Sequence, residues 1–111
     1  MTGKWKIIFM EEIMKKALIT LFVTFSLTFS WQQSQVSDIA GYKFYYGSVS
    51  GEYLTVIDVG NKTFVQIDNF KERQTVYSAV TAYDTSNNES NFSKEFKYTI
   101  PSININIGSN E

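Results

Sequence analysis

The segment Leu27-Thr28-Phe29-Ser30-Trp31 places three large apolar side chains on one side of an extended chain and two hydroxyls on the other. Side chains of a β-strand alternate between its two faces, so a period of two is typical of a strand that buries one face. The segment therefore predicts a strand whose Leu27, Phe29 and Trp31 face a core. A polar loop, residues 32–38, follows the strand.

The same period continues towards the C-terminus, between turns rich in Gly, Asn and Asp. Further strands are predicted at residues 41–46, 53–59, 62–68, 75–83 and 92–100, and Pro101 ends the last one. Short strands separated by turns at regular intervals indicate an all-β protein, built as an antiparallel sandwich or barrel. The residues predicted to form its core are Leu27, Phe29, Trp31, Tyr42, Phe44, Val65, Ile67, Phe70, Val80, Ala82, Phe92 and Phe96.

Several of these segments resemble a bacterial fibronectin type III domain. The segments LTFSW, DIAGYKFYYG, SGEY, TVIDVGN, AVTAYDTSNNES and FSKEF are similar, in that order, to its strands B, C, C′, E, F and G. The resemblance covers residues 27–101. It implies an immunoglobulin-like β-sandwich with Trp31 and Tyr42 at the centre of the core. It also implies a secreted, non-catalytic module that binds a protein or a carbohydrate.

The chain departs from the fibronectin type III pattern at three places. Strand A is expected ahead of LTFSW, and either it is dispensable or part of residues 17–25 serves as strand A. Val76 stands where the family commonly has the tyrosine of its corner motif, unless Tyr77 supplies that anchor through a bulge. Ser78 falls on the inward face, where a bulky apolar side chain would fill more space. We therefore expect an incompletely filled core and a domain of low stability.

Upstream of the predicted domain, a charged start precedes an apolar run. Lys15 and Lys16 follow Met14, and residues 17–29 are uncharged and mostly apolar. This order is typical of a secretory signal peptide, and the run is shorter than the roughly 20 residues of a transmembrane helix. We expect residues 14–26 to form a helical signal segment that is cut after Ser26, with a second possible cut after Ser30. The alternatives are a buried strand or helix and an uncleaved membrane anchor. Residues 1–13 are interpreted as a mis-assigned start or an extra leader.

Composition narrows the classes of function. The 111 residues contain no His and no Cys, so the chain lacks a thiol nucleophile, the usual general base at neutral pH and the common zinc ligands. A net charge of -1 provides no basic face for nucleic acid. We therefore expect that the protein is not an enzyme, needs no cofactor and does not bind nucleic acid. Residues 27–111 carry six basic and nine acidic side chains, an acidic chain that we expect to be secreted, periplasmic or at the cell surface.

Aromatic side chains on the outward faces are the candidate binding residues. Tyr45, Phe64, Tyr77 and Tyr83 are predicted to form a platform for a sugar or a protein. Aromatic residues also favour strand surfaces for cross-strand packing alone, which is the alternative interpretation. The polar loop at residues 84–89 has oxygen ligands for a weak Ca²⁺ site, although the same residue types are ordinary turn formers, and we predict no metal there.

The C-terminal tail, residues 102–111, alternates between apolar and polar residues through Ile103, Ile105 and Ile107. It either extends the last strand or pairs with an open sheet edge, on this chain or on a partner chain. A second function therefore stands beside the binding module. The chain would then be a structural or decoration component of a surface assembly or virion that acts through edge-strand pairing.

Overall fold

The computed structural model describes residues 2–5 and 23–103, and every regular element among them is a β-strand. The strands are β1 (Thr2–Trp5), β2 (Val23–Ser30), β3 (Ile39–Gly47), β4 (Thr55–Gly60), β5 (Phe64–Phe70), β6 (Thr75–Asp84) and β7 (Phe96–Thr99). The prediction of an all-β fold is confirmed. The predicted helical signal segment falls largely on residues outside those described, as does the tail from residue 104 onward.

The strands form two antiparallel sheets, an arrangement consistent with a β-sandwich. One sheet has the order β1-β2-β5 and the other the order β4-β3-β6-β7. Strand β3 lies inside the larger sheet because both of its edges are paired. Its Phe44 lies opposite Ile57 of β4 on one side and opposite Val80 of β6 on the other.

The core lies between the two sheets and is built from the apolar positions of the alternating strands. The rings of Phe29 and Phe44 have centroids 4.8 Å apart, and Trp31 stacks on Phe44 at 5.9 Å. Such ring pairs stabilise a fold by about 0.5–1.5 kcal/mol beyond the area that they bury. The buried cluster comprises Phe25, Leu27, Phe29, Phe44, Phe70, Val76 and Ile100.

Ten of the twelve predicted core residues are buried or half-buried, and two are not. The prediction is wrong for Phe92 and Phe96, which are 53% and 55% exposed. Phe92 lies before β7, in a segment that does not continue the regular strand. Phe96 lies opposite Ser78 at the start of β7, which is an edge strand, so it has no neighbour on its outer side within the described chain.

Strand β2 begins earlier than the sequence pattern predicts. It starts at Val23, so the predicted boundary after Ser26 lies inside the strand. Phe25 and Ser26 are buried, and the Ser26 hydroxyl donates a hydrogen bond to Asp68 at 2.6 Å. Residues 23–25 extend β2 instead of forming the expected strand A. The neighbouring position is occupied by β1, which pairs with residues 23–26.

The segment SGEY, which resembles a separate strand C′, forms a turn instead. The amide of Glu52 donates to the carbonyl of Val49 at 3.0 Å and closes it. A side chain at Gly47 would collide with the carbonyl oxygen of Glu52, and Gly51 has a φ of 78°, so both positions favour glycine. The turn delivers the chain to β4, which pairs with β3 at the edge of the larger sheet.

The corner between β5 and β6 is held by the backbone of Ile100. Arg73 donates its amide to the Ile100 carbonyl at 2.8 Å, and the Ile100 amide donates to Gln74 at 2.9 Å. Val76 is buried in the core, whereas Tyr77 lies on the other face of β6 near Lys97. Main-chain hydrogen bonds therefore hold the corner where the family resemblance predicts a tyrosine.

Candidate functional site

The outer face of the four-stranded sheet carries the richest set of polar and aromatic side chains. Because side chains alternate along β3, Lys43 and Tyr45 lie on the face opposite to the buried Tyr42 and Phe44. Lys43 lies between Asp58 of β4 and Thr81 of β6 in the strand register. Tyr45 lies between Val56 and Ala79. This face is the surface on which a candidate site is built.

The segment after β6 brings further side chains to this face. Asp84 begins it, because one carboxylate oxygen accepts hydrogen bonds from the amides of Ser86 and Asn88 at 2.9 and 2.8 Å. The chain then runs beside β6 without a regular ladder. The Ser90 and Ser93 amides donate to Ala82 and Val80, each at 2.8 Å.

Two hydroxyls replace the missing main-chain acceptors along this segment. The Ser90 Oγ accepts the amide of Ala82 at 3.0 Å, and the Ser93 Oγ accepts the amide of Val80 at 2.9 Å. The amides on the outer edge of β6 thus have hydrogen-bond acceptors, although the segment beside them is not a regular strand. Its side chains therefore need not alternate between the two faces of the sheet. As a result Phe92, between the two serines, reaches Tyr45 on β3.

Three aromatic rings meet at this point. Phe92 makes a T-shaped contact with Tyr45 at a centroid distance of 4.8 Å and another with Tyr53 at 5.3 Å. Tyr45 and Tyr53 are themselves 6.4 Å apart. Edge-to-face packing of this kind fixes the rings relative to one another. With Glu89 and Glu95 they form the set that we call the acid–aromatic cluster.

Glu89 joins β3, β6 and the loop after β6. Its carboxylate accepts hydrogen bonds from the hydroxyls of Tyr45 and Thr81, the latter at 2.7 Å, and from the Lys43 ammonium at 3.4 Å. These donors favour the ionised form and lower the pKa of Glu89, the Tyr45 bond first. The same bond raises the pKa of Tyr45, because the phenol donates to a negative group.

Glu95 holds the turn between β3 and β4 against the segment that precedes β7. Its carboxylate accepts hydrogen bonds from the Ser50 hydroxyl at 2.6 Å, the Gly51 amide at 2.9 Å and the Tyr53 hydroxyl at 2.5 Å. The Ser50 and Tyr53 bonds are the largest causes that lower the pKa of Glu95. Burial and the neighbouring carboxylate raise the pKa of Tyr53 to about 12. Both residues therefore keep the charge state that the hydrogen bond requires over a wide pH range.

Tyr83 extends the surface towards the end of β6. Its hydroxyl donates to Asp58 at 2.8 Å, and the Lys43 ammonium lies 5.8 Å from the centre of its ring. The ring covers Gly41, where a Cβ atom would come within 2.5 Å of the ring carbon Cζ. Lys43 is therefore near two carboxylates, because it forms an ion pair with Glu89 and its charge helps to lower the pKa of Asp58.

The structure separates the four predicted binding aromatics. Tyr45, Tyr77 and Tyr83 share the outer face of the larger sheet, where Tyr77 lies 5.7 Å from the Lys97 ammonium. Phe64 lies on β5 in the other sheet and is 52% exposed. A single platform of all four is therefore excluded.

Four members of the acid–aromatic cluster were not predicted as binding residues. Tyr53 and Phe92 complete the ring contacts, and Glu89 and Glu95 orient two of the rings. The sequence holds one signal for the position of Phe92. Ser90 and Ser93 are three residues apart, and this spacing breaks the two-residue period of a strand around Phe92.

The oxygen atoms of the loop at residues 84–89 are used within the protein. Asp84 accepts bonds from its own loop, including the Asn88 side-chain amide at 3.0 Å, and these bonds lower the pKa of Asp84. Glu89 turns away towards Tyr45. Within the part of the chain that the structure describes, no three acidic side chains come together as a metal site.

The arrangement favours non-covalent binding. The cluster presents aromatic edges and faces beside the carboxylates of Glu89 and Glu95. Each carboxylate oxygen has two lone pairs, so these groups can accept further hydrogen bonds from a ligand. Phe92 is half exposed, and Val56 and Leu54 nearby on β4 and before it are exposed apolar side chains. Such a surface suits a ligand with an apolar face and hydrogen-bond donors, such as a sugar ring or a Lys or Arg side chain.

Comparison of the chain with protein-family models, with curated proteins and with solved structures finds no match. Among the described residues, no helix is long and apolar enough to cross a membrane.

Proposed function

We propose that the chain is a secreted, non-catalytic fibronectin type III module that binds a protein or a carbohydrate at a cell surface. The observation that carries this proposal is the acid–aromatic cluster. Its three rings are already held in place by mutual contacts and by hydrogen bonds to Glu89 and Glu95. A surface ordered before binding loses little conformational entropy when a ligand arrives.

The strand layout supports the fibronectin type III assignment. Strands β2, β3, β6 and β7 match the positions that the resemblance gives to B, C, F and G. With β4 beside β3 and β5 beside β2, TVIDVG corresponds better to C′ and β5 to E. In the uncut chain, β1 lies beside β2, where strand A is expected. Trp31 and Tyr42 also meet in the interior, with ring centroids 5.9 Å apart.

Export is supported by the order of Lys15, Lys16 and the apolar run that follows them. Phe25 and Ser26 are part of the folded sheet, so we place any cut before Val23. A cut there also removes β1, and the mature domain then lacks the strand beside residues 23–26. Mass spectrometry of the protein recovered from outside the cytoplasm locates the N-terminus. A product that begins at Leu27 and still folds would contradict this part of the proposal.

Glycan arrays and pull-downs from cell-surface extracts test the binding function. We expect saturable binding by the monomer, with a loss of at least tenfold in affinity when Tyr53 and Phe92 are both replaced by Ala. Phe64→Ala is the matched control, because Phe64 is equally exposed on the other sheet. Equal binding by the double variant would refute the assignment of the site.

A second candidate function is a structural component that assembles through β-strand edges. The observation in its favour is that β1 pairs with only residues 23–26 of β2. On that side, no described strand pairs with residues 27–30. Unpaired strand edges of this kind are templates for another chain. Concentration-dependent assembly without an added ligand would support this function over the first.

A further inference from the structure

A groove opens between the two sheets at residues 27–30 of β2, where no described strand pairs on the side away from β5. Two adjoining cavities of about 370 and 330 Å³ share Thr28, Phe29 and Phe96 in their walls. Leu27 and Tyr98 line the second cavity, and Trp31 and Lys94 line the first. The groove is therefore mainly apolar, with one charged side chain in its walls.

Two features of this groove point to a missing polypeptide partner. The Trp31 side chain lines the first cavity, and its Nε1 atom is buried with no hydrogen-bond acceptor within the described structure. An unpaired buried donor destabilises the fold, and a carbonyl group would satisfy it. Phe96 stands half exposed at the groove, beside residues 27–30 of β2, with which no described strand pairs on the side away from β5. An extended chain supplies both a carbonyl and apolar side chains at alternate positions.

We infer that this groove binds the C-terminal tail of a second copy of the chain, residues 104–110, as an added strand along residues 27–30. The inference rests on the second candidate function and names its partner. Ile103 packs against the core of its own chain. Beyond it, Ile105 and Ile107 alternate with Asn, so one face of the remaining tail is apolar. Residues 102–110 contain no charged residue and no proline. Charged residues and prolines are what usually keeps an exposed edge strand from pairing with another chain.

The length of the tail fits the open edge. Eight residues follow Ile103 in the sequence, and they span about 26 Å when extended, at roughly 3.3 Å each. Residues 27–30 of β2, which pair with a described strand only on the β5 side, need about 13 Å by the same measure. The tail is therefore long enough to cover them with residues left over.

The position of Ile103 favours a second copy over the same chain. Its amide donates to Glu72 at 2.8 Å, in the loop that joins β5 to β6. That loop is at the end of the sandwich where Phe25 lies opposite Phe70. Strand β1 lies along β2 between this end and the open half, so the tail of the same chain would have to pass it. Two copies can exchange tails symmetrically without that obstacle.

Light scattering after size-exclusion chromatography, over a range of concentrations, tests the inference with the full chain. We expect the full chain to dimerise and a chain ending at Ile103 to stay monomeric. Phe96→Arg, a change at an exposed position in the groove, should weaken association at least tenfold. Leu54→Arg, at an exposed position just before β4 on the opposite edge of the larger sheet from β7, should leave it unchanged. A shortened chain that still dimerises, or Phe96→Arg that dimerises normally, would overturn the inference.

A peptide with the sequence of residues 102–110 provides an independent readout. In the shortened chain with Trp5→Phe, the single remaining indole N–H resonance reports on Trp31. We expect a saturable downfield shift on addition of the peptide, because the N–H gains an acceptor. An unmoved resonance would refute the assignment. If the chain ending at Ile103 still assembles, the tail is rejected as the partner but edge pairing is not. If the full chain is monomeric at every concentration, edge pairing itself is rejected. Neither result bears on binding at Phe92.

Discussion

Replacing Phe92 with Leu removes an aromatic ring from the acid–aromatic cluster while keeping an apolar side chain of similar size. Phe92 makes two T-shaped contacts, with Tyr45 and Tyr53. Each such contact contributes about 0.5–1.5 kcal/mol beyond the area buried, so the two together contribute about 1–3 kcal/mol. Phe64→Leu is the matched control. Phe64 is 52% exposed against 53% for Phe92, and among the described residues no aromatic ring contacts it.

Urea unfolding followed by tryptophan fluorescence measures the difference between the two variants. With a slope of about 1.5 kcal/mol per molar urea, Phe92→Leu should lower the midpoint by about 0.7–2 M relative to Phe64→Leu. A double-mutant cycle of Phe92→Leu with Tyr53→Leu should give a coupling of about 0.5–1.5 kcal/mol. Equal midpoints for the two single variants, with no coupling in the cycle, would refute the ring packing described for the cluster.

Four further results are expected. The Tyr53 phenol should ionise at a pH of about 12. Its stabilising contribution should be complete below pH 10.0 and should be lost as the pH rises towards 12. The difference in phenolate absorbance between wild type and Tyr53→Phe measures this, and ionisation near pH 10.0 would contradict it. The pKa of Glu95 is lowered from 4.5 in the folded protein, so its contribution to the free energy of unfolding should be complete above pH 4.5. That contribution should disappear as the pH falls through the folded pKa. Acid unfolding of Glu95→Gln should therefore depend less on pH than that of wild type. Ser78→Val should raise Tm by several degrees, about 1 kcal/mol, because Ser78 is buried in the wall of the groove, and a fall in Tm by calorimetry would count against an underfilled core. Gly41→Ala should cost about 1–2 kcal/mol in urea unfolding because its Cβ would strike the Tyr83 ring, and adding Tyr83→Ala should recover part of the loss; simple additivity would contradict the contact.

The alternation of apolar residues predicts the strands and most of the core, because it reflects a local property of extended chains. Phe29, Tyr42 and Phe44 are buried as their two-residue spacing indicates. The start of β2 could not be predicted in the same way. The run that includes Val23 and Phe25 is apolar and β-branched, and such a run suits an export signal as well as a strand.

The candidate site depends on contacts that the sequence pattern does not contain. Tyr45 and Glu89 are separated by 44 residues and Tyr53 and Glu95 by 42, so these pairs exist only after the sheet and the loop have come together. Phe92 was assigned to the core because it follows the alternation. The hydroxyls of Ser90 and Ser93, which replace main-chain acceptors beside β6, interrupt that alternation.

The affinity of the monomeric chain for its ligand, measured in parallel for wild type, for Tyr53→Ala with Phe92→Ala, and for Phe64→Ala, tests the proposed binding surface most directly. Glycan arrays and surface-extract pull-downs supply the ligands. The proposal predicts saturable binding by wild type and by Phe64→Ala, and at least a tenfold loss for the double variant. Binding that the double variant retains in full, or that Phe64→Ala loses instead, would contradict the assignment of the acid–aromatic cluster as the site.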